Sequence, residues 1–288
     1  MTTFGVAPSS GAADLEGSPP SALPTAPPEE PLEGVSVSVF EDRTEPVPLR
    51  PGEVHLWFVD LHLPPGLLSP FFALLSRDER ERAERFRFDA HRRRYVARRG
   101  FLRWMLGRYL GRPGGSLLFG YGAAGKPYLV KEQQPSSLPE EFLSFNLSDS
   151  EDVALYAIAS GVELGVDVEH LRDMPDALSI ADYSFSRREK EALAALPEDQ
   201  ISTGFFHGWT RKEAYVKATG QGLGAPLADF TVSLGPQVPA AFLRFENGLD
   251  DVAAWSLYHL EPDPGHVGAL AVRRHGLRPV AFRWRPPG

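Results

Sequence analysis

The chain has 288 residues, a formal net charge of −8 at pH 7 and no cysteine. This length accommodates one large domain or two smaller ones, and the absence of thiols excludes disulfides and thiolate metal sites. Seven of the 38 acidic residues and none of the 30 basic residues lie in residues 1–42, so the rest of the chain is nearly neutral.

The N-terminal region is rich in Pro, Ala, Ser, Gly and Glu. Such a composition buries too little apolar surface to offset the entropy of ordering, so we predict a disordered tail over residues 1–45. The first ten residues lack the positive charge and apolar run of a secretory signal. No segment reaches the roughly 18 apolar residues that span a membrane. We therefore expect a cytoplasmic protein with no membrane partner.

The elements of the first half are predicted in chain order from local patterns. Residues 54–61 have the apolar pattern of a strand, and Ser76 followed by acidic residues is typical of a helix N-cap. A long amphipathic helix is predicted over residues 92–110, followed by a glycine-rich turn over residues 119–128. Two short strands are predicted after that turn, at residues 145–148 and 153–158.

A basic stretch lies within this first half. Residues 77–112 contain thirteen arginines and only five acids. Such a stretch favours an anionic partner, either a nucleotide phosphate or an acidic protein surface. No segment matches a recognised DNA- or RNA-binding motif, so we expect no nucleic-acid partner.

The second half of the chain repeats the order of the first. Three matches indicate this: Val59-Asp60-Leu61 with Val166-Asp167-Val168, Ser76-Arg77-Asp78-Glu79 with Ser186-Arg187-Arg188-Glu189, and Tyr95-Val96 before Gly100 with Tyr215-Val216 before Gly220. We therefore predict an α+β fold with two pseudo-symmetric α/β halves, residues 53–160 and 161–288. The active site is expected in the cleft between the halves.

Two acidic residues lie on the first predicted strand of the second half. In Gly165-Val166-Asp167-Val168-Glu169, apolar and acidic residues alternate, so Asp167 and Glu169 project from the same face. If this strand face were exposed to solvent, the two acids would simply be surface residues with no catalytic or binding role. Here the flanking residues are apolar and predict a buried strand, where two adjacent carboxylates repel each other unless a cation neutralises them.

A third carboxylate lies on the predicted helix that contains Trp209, Glu213 and Lys217. Glu213 and Lys217 have the spacing of a surface ion pair that only stabilises a helix. Trp209, one turn earlier on the same face, favours a buried position instead. Three carboxylates suit Mg²⁺, which takes oxygen ligands, and a lysine beside them indicates phosphate chemistry. These residues alone are consistent with any metal–phosphate site.

These motifs resemble those of the 4'-phosphopantetheinyl transferases. Gly165-Val166-Asp167-Val168-Glu169 and Trp209-x-x-Lys212-Glu213-x-x-x-Lys217, about forty residues apart, are similar to the two signature motifs of that family. Gly125-Lys126-Pro127 and Phe145-Asn146-Leu147-Ser148 match further family segments, and the resemblance covers residues 54–235. It implies the larger Sfp type, which is monomeric and has two pseudo-symmetric halves.

The resemblance also implies a reaction and its participants. Family members transfer the phosphopantetheine arm of coenzyme A to a serine of an apo acyl- or peptidyl-carrier protein. By position, Asp167, Glu169 and Glu213 would bind Mg²⁺, Glu213 would be the general base, and Lys217 would stabilise the departing phosphate. The implied coenzyme A-binding residues are Arg85, Arg92, Lys126, Pro127, Ser148, Asp149 and Lys217.

One position departs from the family pattern. The family commonly has a histidine that contacts the pyrophosphate after the Asn-x-Ser segment, and this chain has Asp149 there. A carboxylate repels phosphate unless another group offsets its charge. Two alternatives therefore remain open: a non-catalytic relative that binds coenzyme A or a carrier, and another metal-dependent phosphohydrolase that uses the same three acids.

Overall fold

The computed structural model describes residues 36–130, 142–235, 238–246 and 248–287. Most of the predicted disordered tail lies outside these residues. Its last part, residues 36–45, contains two strands, so the predicted tail extends too far. None of the helices in the described ranges is long and apolar enough to cross a membrane.

The described residues contain helices and strands in alternating groups. The helices are α1 (Pro65–Leu74), α2 (Arg77–Glu84), α3 (Asp89–Leu110), α4 (Ala177–Ser184), α5 (Arg187–Ala194) and α6 (Glu198–Thr219). The strands are β1 (Ser36–Val37), β2 (Glu41–Arg43), β3 (Glu53–Asp60), β4 (Phe119–Tyr121), β5 (Pro127–Leu129), β6 (Leu143–Ser150), β7 (Val153–Ser160), β8 (Leu164–His170), β9 (Phe230–Val232), β10 (Phe242–Phe245), β11 (Ser256–Asp263), β12 (His266–Val272) and β13 (Arg278–Trp284).

Two main sheets organise these elements. One has the strand order β2-β13-β3-β7-β6 and the other has the order β1-β11-β12-β8. Strand β13 runs parallel to β2 and β3, and β1 runs parallel to β11, while the other pairs in these sheets are antiparallel. Strands β6 and β8 each lie at the edge of their sheet, and they are neighbours where the two sheets meet.

The described part of the chain forms four layers, with helices outside and the two sheets inside. Helices α1 to α3 cover the five-stranded sheet over a core that includes Trp57 and Phe101. Helices α4 to α6 cover the four-stranded sheet over a core that includes Phe206. The inner faces of the two sheets pack on each other through residues such as Leu56 and Val166.

The predicted internal repeat is present in the order of the elements. The series β3, α1–α3, β4–β7 corresponds to β8, α4–α6, β9–β12. Helices α2 and α5 each have eight residues and begin at a Ser–Glu capping box, with Ser76 and Ser186 as the N-caps. Helices α3 and α6 each have 22 residues and end at a left-handed glycine, Gly111 or Gly220. The fold is therefore α+β with two pseudo-symmetric halves, as predicted.

The strand match within this repeat has the wrong register. Asp60 and His170 are the last residues of β3 and β8. Each pairs with the first residue of the second strand of a hairpin, Val153 of β7 or His266 of β12. Counting back from these ends, the counterpart of Asp167 is Trp57 and not Asp60. Three-residue matches of common residue types do not resolve a shift of this size.

The helix match is also wrong. Gly100 was matched to Gly220, but Gly100 is buried inside α3, whereas Gly220 ends α6. The counterpart of Gly220 is Gly111, which ends α3. With the helix ends aligned, Glu213 corresponds to Trp104.

Both ends of the described chain cross between the halves. Strand β13 is buried between β2 and β3, where Phe282 lies 4.8 Å from Trp57 between ring centroids. The range 161–288 predicted for the second half therefore gives one strand to the first half's sheet. Conversely, residues 36–43 contribute β1 to one sheet and β2 to the other.

Candidate active site

Strand β8 and helix α6 carry the residues predicted to bind the metal and to act in catalysis. At Gly165 of β8, a Cβ atom would lie 2.2 Å from both the Ala214 carbonyl oxygen and the Ala218 nitrogen of α6. No side chain fits in that space, so glycine permits the contact. Two residues later on the same face of β8, Asp167 consequently meets Lys217 of α6.

Asp167 is the centre of a buried three-way contact. Its Oδ1 accepts hydrogen bonds from Lys217 Nζ and Ser148 Oγ, each at 2.7 Å, and Lys217 also donates to Ser148 Oγ at 2.7 Å. Asp167 is 3% exposed, and its Oδ2 is buried with no hydrogen-bond partner among the described residues. Because Ser148 belongs to β6, the contact joins the two halves. Lys217 is thus engaged with a buried carboxylate rather than held only in a solvated surface pair.

Alternate side chains of β6 form a hydrogen-bonded seam with β8. The Asn146 Oδ1 atom accepts from the Val166 N–H at 2.9 Å. The Ser150 hydroxyl donates to Glu169 Oε2 at 3.0 Å and accepts from the His170 N–H at 3.1 Å. Together with the bond from Ser148 to Asp167, these bonds form the β6–β8 seam. In this seam, side chains of β6 bind the edge strand of the other sheet.

Burial and repulsion act on the other two predicted carboxylates. Burial raises the pKa of Glu213, and the charges of Asp167 and Glu169 raise it further, against the opposing charge of Lys217. Burial likewise raises the pKa of Glu169, with the charge of Asp167 as the second cause. The three carboxylates therefore share one electrostatic neighbourhood, in which a cation would be favourable.

The donor atoms at this site fit Mg²⁺ in their chemistry. Mg²⁺ prefers carboxylate oxygens and water, and the unpartnered Oδ2 of Asp167 is an available oxygen ligand. Within the described ranges, however, no three His, Asp or Glu side chains lie close enough together to form a complete metal site. To complete a metal shell, Glu169 and Glu213 would have to move toward Asp167.

Lys212, also part of the second signature, anchors α6 within its own half. Its fully buried Nζ lies 2.8 Å from Glu189 Oε2 and donates to the carbonyls of Leu227 and Phe230 at 2.6 Å. Glu189 belongs to the capping box of α5 and also accepts from the Val232 N–H at 2.7 Å. Sequence patterns predict no role for Lys212, whereas in the structure it fixes α6 to α5 and β9.

The two arginines predicted to bind coenzyme A lie on the surface of the first half. Arg92 donates to Asp89 at 2.7 Å and lines a mainly apolar cavity of about 210 Å³ with residues that include Leu68 and Phe72. Arg85 is exposed and donates to the backbone carbonyl one turn earlier. Both guanidinium groups can reach an anion in solvent.

Lys126 makes a contact that the resemblance did not predict. Its Nζ donates to the backbone carbonyls of Leu164 at 3.0 Å and Ala218 at 2.6 Å, both in the second half. Burial lowers the pKa of Lys126 to about 8. Its neighbour Pro127 begins β5. The ammonium expected to reach the phosphates of coenzyme A is therefore bound to protein backbone.

Asp149, where the family commonly has histidine, projects from β6 between two seam residues and is more exposed than they are. Its carboxylate forms an ion pair with Arg98 of α3, and the two side chains are 37% and 28% exposed. One turn earlier, Arg94 pairs with Asp152 at 2.5 Å. The negative charge that was expected to repel phosphate is thus offset by Arg98.

Sequence reasoning missed the partners that position these groups. Ser150, the side-chain role of Asn146, and the pairing of Arg98 with Asp149 were not predicted. The signal available was the alternation of polar Asn146 and Ser148 with apolar Phe145 and Leu147, which Ser150 continues at the same spacing. This period of two predicts one polar face, but it does not name the strand that the face meets.

Two family matches cover the halves of the chain in turn. The 4'-phosphopantetheinyl transferase superfamily matches residues 163–271. The family described as 4'-phosphopantetheinyl transferase, N-terminal, matches residues 67–161. The boundary between the two matches falls at the connection from β7 to β8.

Curated proteins of the same kind are similar over most of the chain. The 4'-phosphopantetheinyl transferase HetI of Nostoc sp. is 43% identical over 232 residues, which cover 81% of this chain and 92% of HetI. The 4'-phosphopantetheinyl transferase psf-1 of Bacillus pumilus is 34% identical over 207 residues, or 72% and 81% of the two chains. The 4'-phosphopantetheinyl transferase Sfp of Bacillus subtilis is 31% identical over 166 residues, or 57% and 68%.

Proposed function

Because this chain belongs to the 4'-phosphopantetheinyl transferase superfamily, we propose that it transfers the phosphopantetheine arm of coenzyme A to a serine of an apo carrier protein. The serine oxygen forms a bond to the phosphorus that bears the pantetheine, and the bond from that phosphorus to the bridging oxygen breaks. Adenosine 3',5'-bisphosphate leaves with the bridging oxygen. The observation that carries the proposal is buried Asp167, whose Oδ2 has no hydrogen-bond partner in the described part of the chain, beside Lys217 at the junction of the halves.

Mg²⁺ is the metal proposed for this site, with Asp167, Glu169 and Glu213 as its protein ligands. It would neutralise charge on the pyrophosphate. The unpartnered Oδ2 of Asp167 and the raised pKa values of Glu169 and Glu213 support this assignment. In the described arrangement the Lys217 ammonium provides the positive charge that pairs with the buried Asp167 carboxylate.

Glu213 is the residue proposed to accept the proton of the carrier serine. Burial raises its pKa, with repulsion from Asp167 as the second cause, and a raised pKa makes a carboxylate a stronger base. Lys217 is proposed to stabilise the departing phosphate. Its ammonium is held by Asp167 and Ser148, so it needs little reorganisation when charge develops on the leaving oxygen.

Binding of coenzyme A is proposed to use groups from the first half. Arg92 and, more weakly, Arg85 offer exposed guanidinium groups for the nucleotide phosphates. Pro127, which is also proposed to contact coenzyme A, lies in the β4–β5 hairpin, and β5 contacts β6 of the seam. The Arg98–Asp149 pair carries no net charge, so it presents no uncompensated carboxylate to the pyrophosphate.

This pairing offsets the charge at Asp149, which was the reason for considering a non-catalytic relative. The monomeric state expected from the resemblance stays a prediction. The cytoplasmic location expected from the sequence stays a prediction.

The test is incubation of the protein with coenzyme A, Mg²⁺ and several apo carrier proteins, followed by intact-mass measurement. We expect one carrier to gain the mass of a single phosphopantetheine group, with release of adenosine 3',5'-bisphosphate. Chelation of the metal by EDTA should stop the reaction. If inorganic phosphate is released from nucleotides and no carrier is labelled, the protein is a phosphohydrolase and the proposal is wrong.

A further inference from the structure

Lys126 lies in one half and binds the backbone of two elements in the other. Its ammonium donates to the carbonyl of Leu164, the first residue of β8, and to that of Ala218, in the last turn of α6. Strand β8 carries Asp167 and Glu169, and Ala218 directly follows Lys217. A single side chain thus holds the two elements that bear the proposed catalytic groups.

The contact with α6 has a clear physical benefit. The last carbonyls of a helix have no partner within the helix, and they form the negative end of its dipole. A cation that donates to one of them stabilises the helix end. In α6 that cation comes from Lys126, 92 residues away in sequence and in the other half of the fold.

The backbone around Lys126 is built for this approach. The turn before it contains Gly125 with φ +85°, and α6 ends at Gly220 with φ +69°. A Cβ atom at Gly222 would lie 2.6 Å from the Cβ of Ala124, so the turn between β4 and β5 packs tightly on the segment that follows α6. The stem of Lys126 passes over Gly220, where a Cβ would be 3.4 Å from its Cδ.

We propose that Lys126 is a positioning residue that clamps β8 to the end of α6, rather than a ligand of the coenzyme A phosphates. The catalytic consequence rests on the proposed function, because it assumes that Asp167 and Lys217 act in transfer. The clamp itself does not depend on that reaction. Its largely buried ammonium, whose pKa is lowered to about 8 by desolvation, is consistent with a group directed away from solvent.

The experiment compares Lys126→Met with Arg92→Met in the full chain. Lys126→Met keeps the apolar stem and removes the ammonium, whereas Arg92→Met removes an exposed guanidinium proposed to bind phosphate. Three quantities are measured for each: amide hydrogen exchange of β8 and the last turn of α6, the Kd for coenzyme A by calorimetry, and kcat for carrier modification. Lys190→Met, which removes a surface lysine of α5, is the matched control.

For Lys126→Met we expect hydrogen exchange in β8 and the last turn of α6 to rise about tenfold or more, because the freed carbonyls loosen the local structure. The value of kcat should fall about tenfold while the Kd for coenzyme A stays within about twofold of wild type, since a misplaced catalytic group slows chemistry more than binding. Arg92→Met should show the reverse pattern, in which the Kd for coenzyme A rises while hydrogen exchange and kcat change little. Lys126→Arg should restore part of the protection of β8 and α6 from hydrogen exchange.

The opposite result for Lys126→Met overturns the proposal. A Kd for coenzyme A raised about tenfold, with hydrogen exchange unchanged, would make Lys126 a phosphate ligand. If the wild-type protein modifies no carrier, the proposed function fails separately. Hydrogen exchange would then still test whether Lys126 clamps β8 to α6. Unchanged exchange in Lys126→Met contradicts the clamp, and increased exchange supports it.

Discussion

The two halves of this molecule have the same order of elements but differ where one of them holds the proposed site. Asp167 and Glu169 of β8 correspond to Trp57 and Val59 of β3, which belong to the aromatic core of the first half. The Trp57 indole donates to the Tyr109 hydroxyl at 2.9 Å. The same strand face therefore carries acids in one half and apolar side chains in the other.

The helices show the same contrast. Glu213 and Lys217 of α6 correspond to Trp104 and Arg108 of α3, counted from the glycine that ends each helix. Trp104 lies 5.9 Å from Trp284 of β13 between ring centroids. In the first half, β13 fills the free edge of β3, while the corresponding edge of β8 has no paired strand among the described residues and meets side chains of β6. The site exists where a sheet edge is left to polar side chains.

The buried capping-box acids are common to both halves. Glu79 of α2 pairs with Arg103, and also with Arg99, while Glu189 of α5 pairs with Lys212. Arg103 and Lys212 are equivalent positions on the two long helices. The two halves thus share the buried ion pair that joins the capping box to the long helix. They differ in the acidic residues of the proposed active site, which only the second half carries among the described residues.

The largest expected effect is that of Glu213→Gln. This change should lower the rate of carrier modification about 10³-fold, because it removes the proposed base. The fold should be retained, since the amide has nearly the shape of the carboxyl group. Trp104→Phe changes the equivalent position of the first half. The folded variant should modify the carrier at a rate within about threefold of wild type. Rates from intact mass and far-UV circular dichroism check both variants, and equal losses in the two would contradict the assignment.

Changes in the shared scaffold should act on stability in both halves. Glu189→Gln leaves the fully buried Lys212 ammonium without its carboxylate, and Glu79→Gln does the same to Arg103. Each should lower the free energy of unfolding by about 3–5 kcal/mol, because an unpaired buried charge remains. Denaturant titration measures this loss. A surface control, Glu191→Gln, should change the stability by less than about 1 kcal/mol.

Ser150→Ala tests whether the β6–β8 seam positions Glu169. Loss of the hydroxyl should weaken metal binding about tenfold, as is typical for a group that orients a metal ligand. Equilibrium Mn²⁺ binding, followed by electron paramagnetic resonance, measures this directly, and kcat at saturating metal should change little. Ser160→Ala is the matched control, because the Ser160 hydroxyl has no partner in the described residues. Equal Mn²⁺ affinity in both variants would refute the role of Ser150.

The smallest expected effect is a pH dependence that originates in the first half. Although burial opposes it, pairing with Arg103 and Arg99 gives Glu79 a net pKa below its ordinary value of 4.5. The folded protein therefore binds fewer protons than the unfolded chain. This contribution to stability is fully present above about pH 4.5 and is lost as the pH falls through the folded-state pKa. Denaturant titrations at several acidic pH values should show a shallower dependence in Glu79→Gln than in wild type.

Local patterns in the sequence predicted the elements that depend on neighbouring residues. The capping boxes at Ser76 and Ser186 and the two long helices were found, because caps and helical periodicity are set within a few residues. The acids Asp167 and Glu169 were placed on one strand for the same reason. The burial of Asp167 followed from its apolar flanks.

Contacts between distant segments could not be predicted in the same way. The register of the repeat was wrong because Asp60 resembles Asp167 in sequence but not in position. The bond from Ser150 to Glu169 and the clamp by Lys126 depend on which strand edges meet, and no local pattern encodes that choice. The buried position of β13 has the same origin, since its place beside β3 is set by the whole sheet.

The most direct test of the account is the rate of carrier modification by Asp167→Asn and Asp60→Asn, measured side by side by intact mass. Asp60 is the acid that the sequence matched to Asp167, and its carboxylate accepts only a local hydrogen bond from the His62 N–H at 2.7 Å in the described structure. We predict a loss of about 10³-fold for Asp167→Asn and a change within about twofold for Asp60→Asn. Full activity in Asp167→Asn, or an equal loss in both variants, would contradict the location of the site.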